Sequence, residues 1–531
     1  MSAPGTADKA DAVWRPAVNP WLIAVVVALA AFMEILDTSI ANVALPYMAG
    51  DLGVSNDEST WVLTSYLVSN AIVLPISGWL AGAVGRKRLF MACIAFFTLS
   101  SLLCGIAPSL AFLLLFRILQ GLGGGGLQPM AQAILADTFP PEQRGLAFAL
   151  YGITAVVAPT VGPVLGGWIT YNYSWRWIFF INLPVGLLAL FLVLRLIEDP
   201  PYLKTAKQAG IKIDYIGVAL LIIGVSSLQI MLDRGQQDDW FGSPFILTLG
   251  ILATVGLISL VVWEWFAEHP IIEVRLFKSF NLLGANLMMF FLGVVYFSSL
   301  VIMPQFLQTV LGYTAELAGL VLSVSAILLL VELPLIGQLT TKVQARYLIA
   351  IGWLIMSLSM LFTTTHFGQF LDFWTATRIR TGQVVGLGFL FVPITLVAYV
   401  GLPQEQSNTV SGLINFMRNI GSSVGTSIVT TLIARRSQYH QTVLIDNLTS
   451  GHSPFFNSVN GLTNGLTRAG FSFDDAQARA HAVLYGVAQQ QAVTLAYIDT
   501  FWVLGVAAGI MFFLSFTLKK NDPGQGAVHA E

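Results

Sequence analysis

The chain is 531 residues long, 56% hydrophobic and 10% charged, with a mean hydropathy of +0.75. An average soluble domain carries about 25% charged residues, so a water-soluble fold is excluded. The net charge of -2, from 26 basic and 28 acidic residues, gives no electrostatic case for nucleic acid as a partner.

A bilayer core of about 30 Å takes about 20 apolar residues as a helix, and runs of that length mark the elements in chain order. A tail at 1–20 has mixed charge, from Asp8, Lys9, Asp11 and Arg15, and no small-residue cleavage site, so the first run is read as a retained helix. Six runs follow near 21–46, 59–84, 89–107, 110–130, 145–170 and 176–197, forming an N-terminal bundle over 21–197. A polar linker at 198–212 precedes two runs near 213–232 and 244–266, a two-helix insertion over 213–266. A connection at 267–282 carries Glu273, Arg275 and Lys278. Six more runs, near 283–311, 315–337, 346–365, 375–400, 408–434 and 496–518, form a C-terminal bundle over 283–518, and 519–531 is a second tail. The fold class predicted is an all-α integral membrane protein with 14 transmembrane helices. Cys93 and Cys104 share one run, roughly 16 Å apart along a helix, too far for a disulfide.

Lys and Arg collect in alternate loops: Arg86, Lys87 and Arg88, then Arg144, then Lys204, Lys207 and Lys212, then Arg275 and Lys278, then Lys342 and Arg346, then Lys519 and Lys520. That side is expected to be cytoplasmic, with both termini on it. The opposite loops are acidic or uncharged, except 436–495, which reads as a long external loop.

An internal repeat is expected. The turn from Gly78 to Leu89 resembles that from Gly337 to Leu348, an offset of 259 residues. Arg117 with Gln120 recurs as Arg380 with Gln383, and Glu142 with Gly162 as Glu405 with Gly425, all at an offset of 263. Such a repeat builds two similar halves around a central cavity.

Within the first run, Glu34 and Asp37 are three residues apart and so share a helix face. An ionised carboxylate at mid-helix costs about 2.5–3.5 kcal/mol on insertion scales, so both are expected to face a cavity or a cation. An acid in apolar surroundings also keeps its proton to higher pH than in water, as a proton carrier must. The same pair suits a structural polar network. Arg117, in the fourth run beside Gln120 and the glycines Gly121 to Gly126, is the natural partner; it suits either charge coupling or helix anchoring. The fifth run carries Pro159, Gly162, Pro163, Gly166 and Gly167. Prolines remove helix hydrogen bonds and glycines remove bulk, giving a kinked, smooth helix suited to sliding or to close packing. The turn with Gly78, Gly85, Arg86, Lys87 and Arg88 offers cations to helix C-termini or acids, or is a plain basic loop. Asn42, Tyr66, Asn70, Gln120, Gln128, Glu332, Arg380, Gln383 and Arg418 are candidates for the cavity wall; each also suits a helix–helix hydrogen bond.

There is no Gly-x-x-x-x-Gly-Lys-Ser/Thr phosphate loop, and the histidines, His269, His366, His440, His452 and His481 among them, fall at run ends or in loops. No metal or cofactor is expected. An enzyme would need reactive side chains converging at one depth, and none are found.

The stretch Leu36-Asp37-Thr38-Ser39-Ile40-Ala41-Asn42-Val43-Ala44-Leu45-Pro46 resembles the first-helix signature of fourteen-helix drug:proton antiporters of the major facilitator superfamily. The turn from Gly78 to Arg88, Arg117 with Gln120 and Gly121, and Gly162 to Gly167 are similar to that superfamily's other landmarks. The stretches from Trp175 to Pro184 and from Leu228 to Gly235 further resemble the EmrB type of the EmrB/QacA subfamily, over nearly the whole chain. The resemblance implies the major facilitator fold, two six-helix bundles plus the insertion, in the cell inner membrane. It implies efflux of hydrophobic or amphipathic small molecules by alternating access, driven by a proton gradient, with Asp37 and Arg117 as coupling residues joined by Glu34. It also implies a periplasmic adaptor and an outer-membrane channel, for which 436–495 is either a docking loop or a disordered excursion. Gly82 stands where many relatives carry an acid, which puts a charge-relay gate in doubt. The alternatives are a proton-coupled importer of a small metabolite and a non-transporting membrane sensor.

Overall fold

A computed structural model describes residues 16–200, 214–446 and 453–520. The apolar runs become helices for a plain reason: in hydrocarbon every backbone polar group must be bonded within its own segment. The helices are α1 (Pro20–Leu52), α2 (Asn56–Val84), α3 (Arg86–Gly105), α4 (Leu110–Thr138), α5 (Pro141–Asn172), α6 (Trp177–Leu196), α7 (Tyr215–Arg234) and α8 (Pro244–Phe266). They continue as α9 (Phe280–Thr309), α10 (Ala315–Leu339), α11 (Ala345–His366), α12 (Phe373–Ala398), α13 (Ser407–Asp446), the short α14 (Ser453–Arg468) and α15 (Phe473–Ser515). All but α13 and α14 are long and apolar enough to cross a membrane by composition alone. α13 has 40 residues, but its membrane half carries Asn415, Arg418 and Asn419, which dilute its hydropathy. The chain is a multi-pass membrane protein; α8 turns Phe245, Val255 and Val262 outward, about half exposed, where only lipid can cover them.

Local signals set the ends. Asn19 caps α1 by accepting a hydrogen bond from the Trp21 amide at 3.0 Å, and Gly53 closes the helix at φ +66°. Gly85 joins α2 to α3 at φ +96°, a region that other residues reach only with strain. Cys93 and Cys104 are free and buried.

The segment 436–495, expected as a long external loop, is mostly helical where described: α13 runs on to Asp446, α14 follows, and after a turn at 469–472 α15 begins at Phe473. Its polarity marks an exit from the bilayer, not an end of helix, since residues 473–495 hold one glycine and no proline. Most of the linker 198–212 and of the tails 1–20 and 519–531 lies outside the described residues.

α1 to α6 pack together, with α1 against α5 and α6, and α2 and α3 against α4. In the second half α10 and α11 pack on α12, α9 on α13, and α15 on α11 and α13. α7 leans on α2 and α13 and carries α8 on its outside. The halves meet along α5 with α10 and α2 with α13. The repeat is visible in these crossings. A Cβ on Gly145 would stand 2.4 Å from the Gly337 carbonyl oxygen, and one on Gly78 would stand 2.7 Å from the Thr409 Cα. Within each half, Gly162 approaches Ser39 of α1 and Gly425 approaches Ser298 of α9.

Candidate functional site: a carboxylate-lined cavity between the halves

At the face carrying the Arg86–Arg88 turn the halves are shut. Phe148 stacks on Tyr399 with ring centroids 5.7 Å apart, and the Gly145–Gly337 and Gly78–Thr409 crossings leave no room for a side chain. Arg86 pairs with Asp137 at 2.6 Å, both buried, and Asp137 also accepts from the Ser407 hydroxyl of the other half at 2.9 Å. Asp137 thus meets Arg86 even though Gly82 is not acidic. Gly85 lies beside Asp199, whose carboxylate accepts from the Lys87 amide at 2.7 Å. Arg88 is exposed.

Toward the opposite face the halves part around a cavity of about 500 Å³. Its polar wall includes Glu34, Asn42, Tyr66, Asn70 and Gln128 from the first half and Arg418 from α13. Apolar walls come from Leu63, Leu67, Phe297, Leu300 and Val301. Glu34 accepts from the Tyr66 hydroxyl at 2.9 Å, the Asn70 amide at 3.0 Å and the Gln128 amide at 2.5 Å. Gln128 in turn accepts from Tyr151 at 3.2 Å and from an Nη of Arg418.

Asp37 lies behind that wall, 2% exposed and outside the cavity lining. It accepts from Arg117 Nη1 at 2.7 Å, Gln120 Nε2 at 2.9 Å and Asn182 Nδ2 at 2.7 Å. Arg117 also donates to the Val62 carbonyl at 3.1 Å and sits 4.3 Å above the Tyr66 ring. Tyr66 therefore joins the two acids: its hydroxyl holds Glu34 and its ring face holds the cation that holds Asp37. The two carboxylates three residues apart are both buried, but only Glu34 meets the cavity, because a three-residue step turns a helix by about 300° and leaves them about 60° apart.

Four residues expected on the cavity wall are elsewhere. Gln120 is consumed by Asp37 and Arg117, to which it is bonded at 2.9 and 2.8 Å. Arg380 and Gln383 lie inside the second half, bonded to each other at 2.8 Å, with Arg380 4.7 Å above the Tyr296 ring. Glu332 packs against Gly388, at whose Cα a methyl group would come within 2.3 Å of its Oε1. The antiporter-like stretch of α5 turns its glycines to its own half, while Val164 in the same stretch meets Gly319 of α10 in the other half. Gly162 and Gly166 approach Ser39 and Ile40 of α1, within one half, while Gly167 only just touches Val43. The Pro159 carbonyl accepts from the Ser39 hydroxyl at 3.0 Å, a donor that compensates helix bonding near Pro163. Gly121 lets α4 touch α2 at Ser69.

Sequence reasoning missed Asp137, Asn182, Gln132, Gln229 and Asp233. Asp137 stood outside the apolar windows, where polarity carries no signal, and Asn182 stood inside one as a single neutral amide. Gln132 accepts from Asn415 across the halves at 2.8 Å. From the insertion, Gln229 donates to Ser423 of α13 at 2.7 Å and Asp233 accepts from the Thr64 hydroxyl of α2, so α7 fills the seam between α2 and α13 and lines the cavity.

Comparison with known proteins agrees with this architecture. Residues 27–426 match the Major Facilitator Superfamily. The chain is 39% identical over 438 residues to the probable multidrug resistance protein EmrY of Escherichia coli (strain K12), covering 82% of this chain and 85% of that protein. It is 36% identical over 510 residues to the multidrug export protein EmrB of the same organism, covering 95% and 97%. With the fatty acid resistance protein FarB of Neisseria gonorrhoeae it shares 39% over 446 residues, 84% and 86% of the two chains. Among solved structures, the proton:xylose symporter XylE superposes with a TM-score of 0.61 at 14% identity, covering 96% and 97% of the two chains. The human organic anion transporter MFSD10 gives 0.57 at 12%, over 94% and 100%. With two repeat-related halves closing on a central cavity and a match over most of its length, the chain belongs to the Major Facilitator Superfamily.

Proposed function

We propose that this protein is a proton-coupled antiporter that exports hydrophobic or amphipathic small molecules by alternating access. The observation that carries the reading is Glu34: an acid on the cavity wall, tied through Tyr66 to the sealed Asp37–Arg117 pair. A proton arriving through the cavity reaches Glu34 before Asp37, which lies outside the lining. Protonation removes the charge that draws the Tyr66, Asn70 and Gln128 donors inward, and Tyr66 passes the change to Arg117 and so to Asp37. Gln128 and Arg418 carry it to the second half. Differential proton affinity between outward- and inward-facing states is then what drives the exchange. The exporters named among the relatives support this direction of transport over import, and the chain's own residues need no cofactor beyond the proton gradient.

The basic loops support a location in the inner membrane with both termini cytoplasmic, which makes the cavity side external. α13, at 40 residues, is about 60 Å long, twice the bilayer core. Its outer end, with α14 and the start of α15, forms a helical projection suited to an adaptor leading to an outer-membrane channel.

The test is substrate-driven proton movement in liposomes under an imposed pH gradient. Glu34→Gln is expected to abolish proton movement while leaving substrate binding within about threefold, and Asp37→Asn to abolish coupled transport. Undiminished proton movement in both variants would remove the two acids from the mechanism.

A further inference from the structure

We infer that the two-helix insertion travels with the first half, and that Gln229 and Trp240 are positioning residues that hold the cavity open by latching the insertion to α13 and releasing it in each cycle. This rests on the alternating-access reading of the same cavity. α7 stands in the seam between α2 and α13, where Gln229, Leu232 and Asp233 line the cavity, and it is hydrogen-bonded to both halves. Halves that rock about a central site change their spacing at such a seam. A helix bonded to both must therefore slip along one of them. α8 goes with α7, because a Cβ on Gly256 would stand 3.0 Å from the Gly224 Cα, a crossing that leaves the two helices no play.

The two sets of bonds differ in kind. Toward the first half, Arg234 sends Nη1 and Nη2 to the two carboxylate oxygens of Asp57 at 2.9 and 3.3 Å, and Nη1 also to the Thr60 hydroxyl at 3.3 Å. Its guanidinium carbon lies 5.0 Å over the Trp61 ring, and the neighbouring Asp233 accepts from the Thr64 hydroxyl. Asp57, Thr60, Trp61 and Thr64 follow the three- and four-residue steps of one helix face, so α2 offers α7 a continuous strip. Asp57 is exposed, which screens its charge, but the fork, the stacked ring and the Thr64 bond act together. Toward the second half there are two neutral bonds, from Gln229 Nε2 to the Ser423 hydroxyl at 2.7 Å and from Trp240 Nε1 to the Thr431 hydroxyl at 3.2 Å. Charge-assisted bonds are about twice as strong as neutral ones. α2 therefore keeps α7, and α13 lets it go. The backbone supports a built latch at Trp240. It stands at φ +47° after Asp239 at φ +56°, a left-handed region that a bulky residue occupies only where its surroundings hold it there. Its ring lies against Gly235, where a Cβ would come within 2.7 Å of it, and this placement aims the indole N–H at α13.

The first test places spin labels on Arg88 and Thr341 of the full-length protein in nanodiscs, where double electron–electron resonance reads opening of the basic face. Gln229→Leu with Trp240→Phe removes both bonds to α13 and keeps the bulk. It is expected to raise the population open at that face about tenfold, the change that two neutral hydrogen bonds supply. Each single variant is expected to raise it about threefold, and the singles decide if the double variant does not fold. An unchanged population, or a shift the other way, would overturn the latch. The second test asks which half α7 rides with, using cysteine pairs outside the cavity lining joined by a short bifunctional methanethiosulfonate; Cys93 and Cys104 are buried out of its reach. Joining Trp240→Cys to Thr431→Cys is expected to stop substrate-driven proton movement in liposomes until a reductant is added, and joining Arg234→Cys to Thr60→Cys to leave it running. Arrest by the α2 link, or movement that survives the α13 link, would refute the assignment of α7 to the first half. A population shift in the latch variants with no proton movement in any unlinked sample would sink the efflux reading instead and leave the latch standing.

Discussion

The two halves of the molecule carry the same polar core, differing by one carboxylate. In the first, Arg117 bonds Gln120 at 2.8 Å and lies 4.3 Å over the Tyr66 ring; in the second, Arg380 bonds Gln383 at 2.8 Å and lies 4.7 Å over the Tyr296 ring. Asp37 completes the first core at 2.7 Å, and the Ser299 hydroxyl, at 3.1 Å from Arg380, takes that part in the second. Duplication thus supplied one scaffold twice, and the acid that makes it an ion pair is present in one copy only. The first half holds a buried acid beside its cation; the second holds a buried cation that, among the described residues, has no ion-pair partner.

The largest expected effect comes from breaking the pair that only one half has. Asp37→Ala would leave Arg117 as an uncompensated buried charge, a loss of about 3–5 kcal/mol for a well-buried pair. Arg380→Met removes a cation that has no acid to leave behind, so relief of the unpaired buried charge offsets most of its two lost hydrogen bonds, and a net loss of about 1 kcal/mol is expected. Thermal unfolding of the purified variants checks the difference: a large fall in melting temperature for Asp37→Ala and a small one for Arg380→Met. Equal falls would mean that the two cores are energetically alike and that the carboxylate is not what distinguishes them.

A second, smaller effect addresses what the halves share. The Gly145–Gly337 and Gly78–Thr409 crossings are the same contact made twice, so a side chain at either should open the basic face. Gly145→Leu places a Cβ within 2.4 Å of the Gly337 carbonyl oxygen, which neither backbone can yield to without separating. A shift of at least about tenfold toward the state open at that face is expected, the change that 1.4 kcal/mol produces. Distances between spin labels on Arg88 and Thr341, read by double electron–electron resonance, would show it, and Gly78→Leu should do the same. A shift for one glycine alone would break the equivalence of the two crossings.

How much of this was legible in the sequence depended on which property carried each signal. Span length and the 263-residue offset gave the helices and the paired arginines, because both follow from covalent spacing. Glu34, Asp37 and Arg117 stood out because charge inside an apolar run has few physical explanations. What spacing could not supply was depth. Gln120, Gln383 and Arg380 look as polar as Gln128 and Arg418 along the chain, yet the first three are enclosed within a half and the last two reach the cavity. That difference is set by the packing of neighbouring helices. Asp137 and Asp233 were missed for a related reason: each lies at the margin of an apolar run, where an acid reads as a loop residue until the helix is seen to continue or a neighbouring helix to cover it. The outer ends of α13 and α15 show the converse error, since polarity there reports water and says nothing against helix.

The smallest effect comes from supplying the missing acid. Ser299→Asp would place a carboxylate where the Arg380 guanidinium already points, at a position fully buried between α9 and α12. The new pair gains a charge-assisted bond worth about 1.5–3 kcal/mol but must desolvate an added carboxylate, which consumes most of that gain. A net stabilisation of about 1 kcal/mol is expected, visible as a rise of a few degrees in melting temperature. Turnover should fall several-fold, because a second locked pair stiffens the half whose cation is held only by neutral groups in the native chain. Faster transport in Ser299→Asp would argue that charge pairing in a half promotes movement, and would reverse the division of labour inferred from the two cores.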